Sequence, residues 1–133
     1  MNSRFAGAAI DAAYKSTSKF RLGAALVSRN AVIRVGFNQM GKTHPLMNKY
    51  LAQHGDPPDW SPGLHAEVHA CLGINPTLLV GAALYVARVR KDGKIALAKP
   101  CGICARFLVG VGIGTVCWSN PWGWTEVVVS DEF

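Results

Sequence analysis

Long apolar runs are missing from this chain: nowhere do about 18 hydrophobic residues follow one another, so no segment has the length of a membrane-spanning helix. Acidic residues are scarce, eight against fourteen lysines and arginines, for a net charge of +6. The deficit is local. Residues 1–55 carry eight basic side chains and a single acid, Asp11, whereas the remainder is nearly balanced at six against seven. Such asymmetry suits an anionic partner, a nucleotide phosphate or a nucleic-acid backbone; a plain basic surface with no partner has the same composition. Cysteine is limited to four residues, with one Cys-x-x-Cys and no second pair to complete a zinc ribbon. The metalloprotease order His-Glu-x-x-His is absent as well, because Glu67 stands two residues after His65 and ahead of His69. No continuous apolar block before a cleavage site opens the chain, so a secretory leader is not expected.

What is present is enough for one core. At 133 residues, half of them hydrophobic, residues 1–133 read as a single domain that buries about two thirds of its unfolded surface. Cys71 and Cys117 fall in apolar segments and Cys101 and Cys104 form a metal-type pair, so disulfides are not expected. Buried thiols and metal thiolates fit a reducing compartment, the cytoplasm of a host cell.

The chemistry-bearing stretch runs from His65-Ala66-Glu67 to Pro100-Cys101-Gly102-Ile103-Cys104. Zinc prefers four nitrogen or sulfur ligands in a tetrahedron, and a catalytic site keeps one position open, so three protein ligands are the expected number. His65, Cys101 and Cys104 supply three. On a helix, residues three apart share a face with Cβ atoms roughly 5–6 Å apart, close enough for two thiolates to hold one ion. Pro100 suits a helix start, where thiolate is favoured over thiol. Glu67 is not needed as a ligand and remains a carboxylate able to carry protons beside the metal. The bland alternatives are a redox Cys-x-x-Cys and, for His69, a packed or exposed helix residue.

The order His-x-Glu followed by Pro-Cys-x-x-Cys is that of zinc-dependent nucleobase deaminases. The chain resembles the cytidine and deoxycytidylate deaminase-like superfamily over nearly its whole length, because Arg21-Leu22-Gly23-Ala24-Ala25-Leu26-Val27 followed by Gly36-Phe37-Asn38 is similar to that family's first hairpin. Gly36-Phe37-Asn38, Lys42-Thr43-His44-Pro45 and Lys99-Pro100-Cys101 are most similar to small phage and bacterial members. The resemblance implies a three-layer α/β/α fold with a mixed five-stranded sheet and one catalytic zinc. It also implies hydrolysis in which water adds at C4 of cytosine, while Glu67 protonates the ring nitrogen and later the departing ammonia. It places Asn38 against the substrate's sugar, where the bland alternative is a turn asparagine satisfying backbone groups, and Ala66 among the substrate contacts. Relatives often assemble, so a homo-oligomer is among the expectations.

Taken in order, residues 3–16 predict a helix capped by Asn2 or Ser3, and Gly23 to Ser28 with Val32 to Asn38 predict a hairpin turning at Arg29-Asn30. Lys42 and His44 lie in a polar segment, either as phosphate contacts or as ordinary loop residues. Gln53 to Gly63 reads as a loop. Trp60 within it either walls the base pocket by stacking or pins the loop to the core. Leu64, Val68, Cys71 and Leu72 give the first motif helix a buried stripe, ended by Gly73, Asn75 and Pro76. Gly81 to Val89 reads as an interior strand, Ile95 to Ala98 as a short segment, and Ile103, Phe107, Leu108 and Val111 as the core face of the second motif helix. Thr115 to Ser119 and Glu126 to Ser130 are too close for a parallel return and predict an antiparallel C-terminal hairpin with Trp122 and Trp124 at its tip. The tryptophans there pack, stack bases or meet a neighbouring subunit. Ligands collect at the carboxyl ends of strands in open sheets, which makes Trp118, Ser119 and Asn120 a candidate pocket wall.

Cytosine fits better than adenine, since the short hairpin resembles the cytidine branch and the adenosine-deaminating branch carries an acidic or small residue where Lys99 stands. Lys99 departs from both branches, and either touches a phosphate or replaces a surface residue. The expected substrate is a (deoxy)cytidine nucleoside or nucleotide of deoxycytidylate type. Cytosine in single-stranded DNA or other nucleic acid is the runner-up, favoured by the basic half and the tryptophans. A non-catalytic, zinc-stabilised binding module is the alternative of a different class.

Overall fold

The computed structural model describes residues 2–42, 44–54, 63–130 and 133, with 50–54 as backbone alone. Asn2 opens the first helix: its Oδ1 accepts the Arg4 N–H at 2.9 Å, and α1 spans Ser3–Ala13. Its inner face is Phe5, Ala6, Ala9, Ala12 and Ala13, and the four alanines are small enough to bring the helix backbone close to a sheet. A methyl group at Gly23 would collide with the backbone of Ala9, Ala12 and Ala13, so this approach needs a glycine.

Strands β1 (Arg21–Ser28) and β2 (Ala31–Phe37) form the expected hairpin. Its turn residues Arg29 and Asn30 both hold positive φ, 53° and 62°, the handedness that matches the strand twist. Beyond α2 (Pro45–His54), α3 (Ala66–Cys71) and α4 (Pro76–Leu79), strand β3 (Ala83–Val89) pairs antiparallel with β1. The two-residue β4 (Ile95–Ala96) pairs with β3. Helix α5 (Gly102–Val111) then carries the chain to β5 (Thr115–Asn120), parallel to β3, and β6 (Gly123–Val128) returns antiparallel to β5. The order β2-β1-β3-β5-β6 contains the five expected strands in a mixed sheet, and β4 is a sixth, attached to β3.

Alternation along the strands sorts the core into two layers. Ala24, Leu26, Leu84, Val86 and Val116 face α3 and α5, where Val68, Ala70, Ile103, Cys104, Phe107 and Leu108 meet them. Ala25, Val27, Tyr85, Ala87 and Cys117 face α1. The sheet is thus covered on both sides, the three-layer arrangement, and strands covered on both sides read as near-continuous apolar runs.

Several boundaries differ from the sequence reading for identifiable reasons. Helix α1 stops at Ala13 because Lys15 and Ser16 N–H turn back to Ala12 and Ala13 carbonyls. Helix α2 was not anticipated, and it takes in Gln53 and His54 from the expected loop. His44 starts it, with Nδ1 accepting the Leu46 N–H at 3.1 Å and its carbonyl the Met47 N–H at 2.9 Å. Pro76 does not merely end α3; it opens α4, with Asn75 Oδ1 as cap to Thr77 N–H at 3.0 Å. Strand β6 begins three residues early and ends at Val128, because a two-residue turn at Pro121 and Trp122 already pairs Asn120 with Gly123. Trp122 is at the tip and 92% exposed, while Trp124 lies within the strand, its ring 6.2 Å from that of Tyr85.

Candidate active site

The site is assembled by three local devices. The first is an isolated bridge in which Gln39 and Leu64 exchange backbone hydrogen bonds at 2.9 and 3.0 Å, bringing the residue after Leu64 beside the end of β2. The second is Gly36, where a methyl group would strike the backbone of Ala66, His69 and Ala70, so α3 rests directly on β2. The third is helix capping: His65 is the N-cap of α3 and Cys101 the N-cap of α5. Neither side chain caps its own helix, and both are engaged with something else.

That something lies between them. His65 Nδ1 is 3.2 Å from Cys104 Sγ and 3.6 Å from Cys101 Sγ, and the three donor atoms all lie within 4.8 Å of one another. Zinc bonds of about 2.0–2.3 Å in a tetrahedron require donor separations of about 3.5 Å, close to the two nitrogen–sulfur separations here, so an imidazole nitrogen and two sulfurs of this kind fit a zinc ion. The acidities agree. A hydrogen bond from the Cys104 thiol, helped by His65, holds the Cys101 thiol well below its ordinary range. Cys104, the donor, is pushed up by that bond and by burial. Without an ion the pair therefore keeps one proton between two sulfurs, and a dication displaces it.

Glu67, in the first turn of α3, is only 4% exposed. Burial raises its carboxyl to about 7, with His65 opposing and Cys101 adding to the rise. A carboxyl held near neutrality beside a metal-type triad is suited to giving and taking protons. It forms the floor of a cavity of about 360 Å³ together with His65, Ala66 and Cys101, at the small end of ligand pockets. Leu22, Asn38, Gln39 and Ala98 make the walls, and Phe20, Met40, Leu97 and Lys99, all exposed, stand at the mouth.

The remaining expected contacts divide. Ala66, Asn38 and Lys99 line the cavity. Asn38 also ties the wall together: Oδ1 accepts the Leu22 N–H at 2.9 Å and Nδ2 donates to the Phe20 carbonyl at 2.6 Å. Trp118 and Asn120 do not line it. Trp118 is buried in the core, edge-on to Phe133 with ring centres 6.2 Å apart. Asn120 is spent on the hairpin, accepting from Trp122 N–H at 2.9 Å and donating to Thr125 Oγ1 at 3.2 Å. His44 does not line it either, being engaged at the start of α2. Trp60 lies outside the described residues. His69 proves to be a packing residue that also ties two elements together. Its Nδ1 accepts the Phe37 N–H at 3.0 Å, locking the end of β2 to α3, and burial lowers its pKa.

Sequence reasoning missed Lys19, Phe20 and Arg88, which also line the cavity. One signal was available: Arg88 is a cation inside the otherwise apolar run of β3. Strand interiors rarely hold an unneeded charge.

A comparison with curated protein sequences finds no match. Solved structures do match. A cytidine deaminase from Burkholderia pseudomallei shares 20% identity over 98% of this chain and 94% of that one, with a TM-score of 0.66. A dCMP deaminase from the cyanophage S-TIM5 shares 17% over 90% and 86%, with a TM-score of 0.51. RibD of Acinetobacter baumannii shares 22% over 88% of this chain, which spans only 27% of that protein, with a TM-score of 0.52. These likenesses establish the fold. Residues 1–120, a span that takes in His65, Glu67, Cys101 and Cys104, match the family described as the cytidine and deoxycytidylate deaminase zinc-binding region, and the chain belongs to that family.

Proposed function

We propose that this protein is a zinc-dependent hydrolytic deaminase that converts cytosine to uracil in a (deoxy)cytidine nucleoside or nucleotide, of deoxycytidylate type, using one catalytic zinc. The observation that carries the reading is the buried Glu67 carboxyl, not required as a ligand, lining a cavity next to the His65, Cys101 and Cys104 donors. When bound, zinc supplies a Lewis acid that lowers the pKa of water from 15.7 to about 7. Glu67 does the proton work. It takes a proton from the attacking water, delivers it to N3 of the ring as C4 becomes tetrahedral, and passes a second to the amino group, which leaves as ammonia. Water is consumed, and the C4–N bond is replaced by a carbonyl. The N-terminus of α5, which presents Cys101 and Cys104, favours the two thiolates and adds positive potential where negative charge develops. Asn38 and Ala66 contact the sugar and the base, and Lys99 stands at the mouth.

Glu67→Gln tests the assignment. It should retain zinc by elemental analysis and lose ammonia and uracil production from deoxycytidine and dCMP; a variant with wild-type turnover refutes the role. Stoichiometric zinc with no ammonia from any cytosine substrate in the native protein would instead mark a zinc-stabilised binding module. Deamination of cytosine in single-stranded DNA is the second reading, supported by the eight cations and one acid of residues 1–55.

A further inference from the structure

We infer that Lys19 and Arg88 form a phosphate-binding rim beside the cavity, so that the cytosine ligand this site takes is a phosphorylated one. The inference rests on the deaminase reading and names the substrate class within it. Lys19, Phe20 and Arg88 are shared by two hollows: the cavity above Glu67, and a shallow trough of about 400 Å³ that continues over Arg90, Lys91 and Asp92. At this junction the Lys19 ammonium sits 5.6 Å, and the Arg88 guanidinium 4.5 Å, from the centre of the Phe20 ring. The ring, half exposed, holds both cations at the mouth.

Among the described residues, the acids lining the two hollows are Glu67, buried beside the proposed metal donors, and Asp92. Asp92 is the acid of the trough, and it is already paired with Arg90 at 3.2 Å. Neither Lys19 nor Arg88 is ion-paired among the described residues, and Lys99 adds a third such cation to the cavity's edge. Like charges gathered on one ring repel, and an anion at the junction relieves that repulsion. Arg88 is also held in place: its backbone N–H donates to Ser119 Oγ at 3.1 Å, and that hydroxyl donates to the Ala96 carbonyl at 2.8 Å. The forked guanidinium is thus mounted on an interior strand, and Lys19 on the adjoining turn supplies a point charge. A base over Glu67 puts its sugar toward the mouth, where these two cations wait. A phosphate ester is the group they fit, carried either by a free nucleotide or by a strand.

The experiment compares kcat/KM of the zinc-loaded protein for deoxycytidine, dCMP and a single-cytosine oligonucleotide, at two salt concentrations, in wild type, Lys19→Gln and Arg88→Gln. Affinities for deoxycytidine and dCMP are measured by calorimetry in a Glu67→Gln background. A phosphorylated substrate should be preferred to deoxycytidine by about tenfold or more, and each variant should cut that preference about tenfold. Preference for dCMP identifies a free nucleotide, and preference for the oligonucleotide, falling with salt, identifies a strand. Deoxycytidine handled as well as either phosphorylated ligand, or variants that lower all three in equal proportion, would overturn the rim. Absence of turnover with all three ligands in wild type counts against the deaminase reading instead, and the calorimetric ratio still decides the rim. Lys19 is exposed, so its variant stays informative if Arg88→Gln fails to fold.

Discussion

Gly36→Ala tests how the fold holds the site. Built on the present backbone, the added carbon lies 2.8 Å from the Ala66 carbonyl oxygen and 2.9 Å from the His69 carbonyl carbon, and closer still to Ala70 N. Relaxed carbon contacts lie at about 3.5–4.0 Å, so β2 and α3 must separate by roughly 1 Å. All three obstacles are helix backbone, which cannot turn aside as a side chain does. The cost therefore falls at the upper end of overpacking, about 3 kcal/mol. For a chain of 133 residues this corresponds to a fall in Tm of about 10 °C. His65 and Glu67 ride on α3 whereas Cys101 and Cys104 ride on α5, and zinc distances tolerate only about 0.2 Å. Zinc affinity should accordingly drop by about tenfold or more, as it does when outer-shell support is lost. Thermal unfolding and competition with a chelator measure the two effects. Gly7→Ala is the control: nothing lies within 4 Å of its added carbon, and removing a helix-interior glycine should stabilise by about 0.5–1 kcal/mol. If Gly36→Ala melts within about 2 °C of wild type and holds zinc equally well, the close approach of α3 to β2 is not what positions the histidine.

Other outcomes follow from the same geometry. Cys101→Ala removes one of three donors, and elemental analysis should find less than about a tenth of the wild-type zinc after dialysis. Burial raises the Glu67 carboxyl from 4.5 to about 7, so the folded chain holds this proton more tightly than the unfolded one. The zinc-stripped protein therefore loses stability as pH rises through that interval. Zinc-stripped Glu67→Gln should exceed zinc-stripped wild type by about 3 kcal/mol in urea unfolding at about pH 8, and the gap should close near pH 4; equal stability at both pH values would count against the burial argument. Chelation should also expose a single fast thiol. Cys101 is half-buried with a depressed pKa, whereas burial pushes Cys71 up to about 12. Peptide mapping after maleimide should find Cys101 modified first in stripped protein and protected in loaded protein, and early labelling of Cys71 or Cys117 contradicts this.

The parts of the site legible in the sequence were those set by local spacing. Cys101 and Cys104 share a helix face because they are three residues apart, and Glu67 follows His65 within one turn. Joining the histidine to the sulfurs across the intervening residues required a known motif, since no periodicity reports a contact between two helix starts. The C-terminal hairpin was legible from loop length, and the first from the turn residues Arg29 and Asn30. Helix α2 was not, because its start relies on the ring of His44, a residue with no strong capping preference. The carboxyl-end rule pointed to the right edge of the sheet and the wrong strand: the cavity gathers at the ends of β2 and β3, at Asn38 and Arg88, while the end of β5 is absorbed by its hairpin. The rim is the least legible part. Lys19 and Arg88 are far apart in the chain and meet only because the first residues of β1 pair with the last residues of β3.

The Gln39–Leu64 clasp has a consequence for how such a protein diversifies. It pins both ends of the intervening stretch to the sheet, upstream of every proposed metal donor. Chain exchanged between those two anchors can leave the proposed donors in place provided α2 is kept, because Met47 on that helix is buried in the core shared with Cys104.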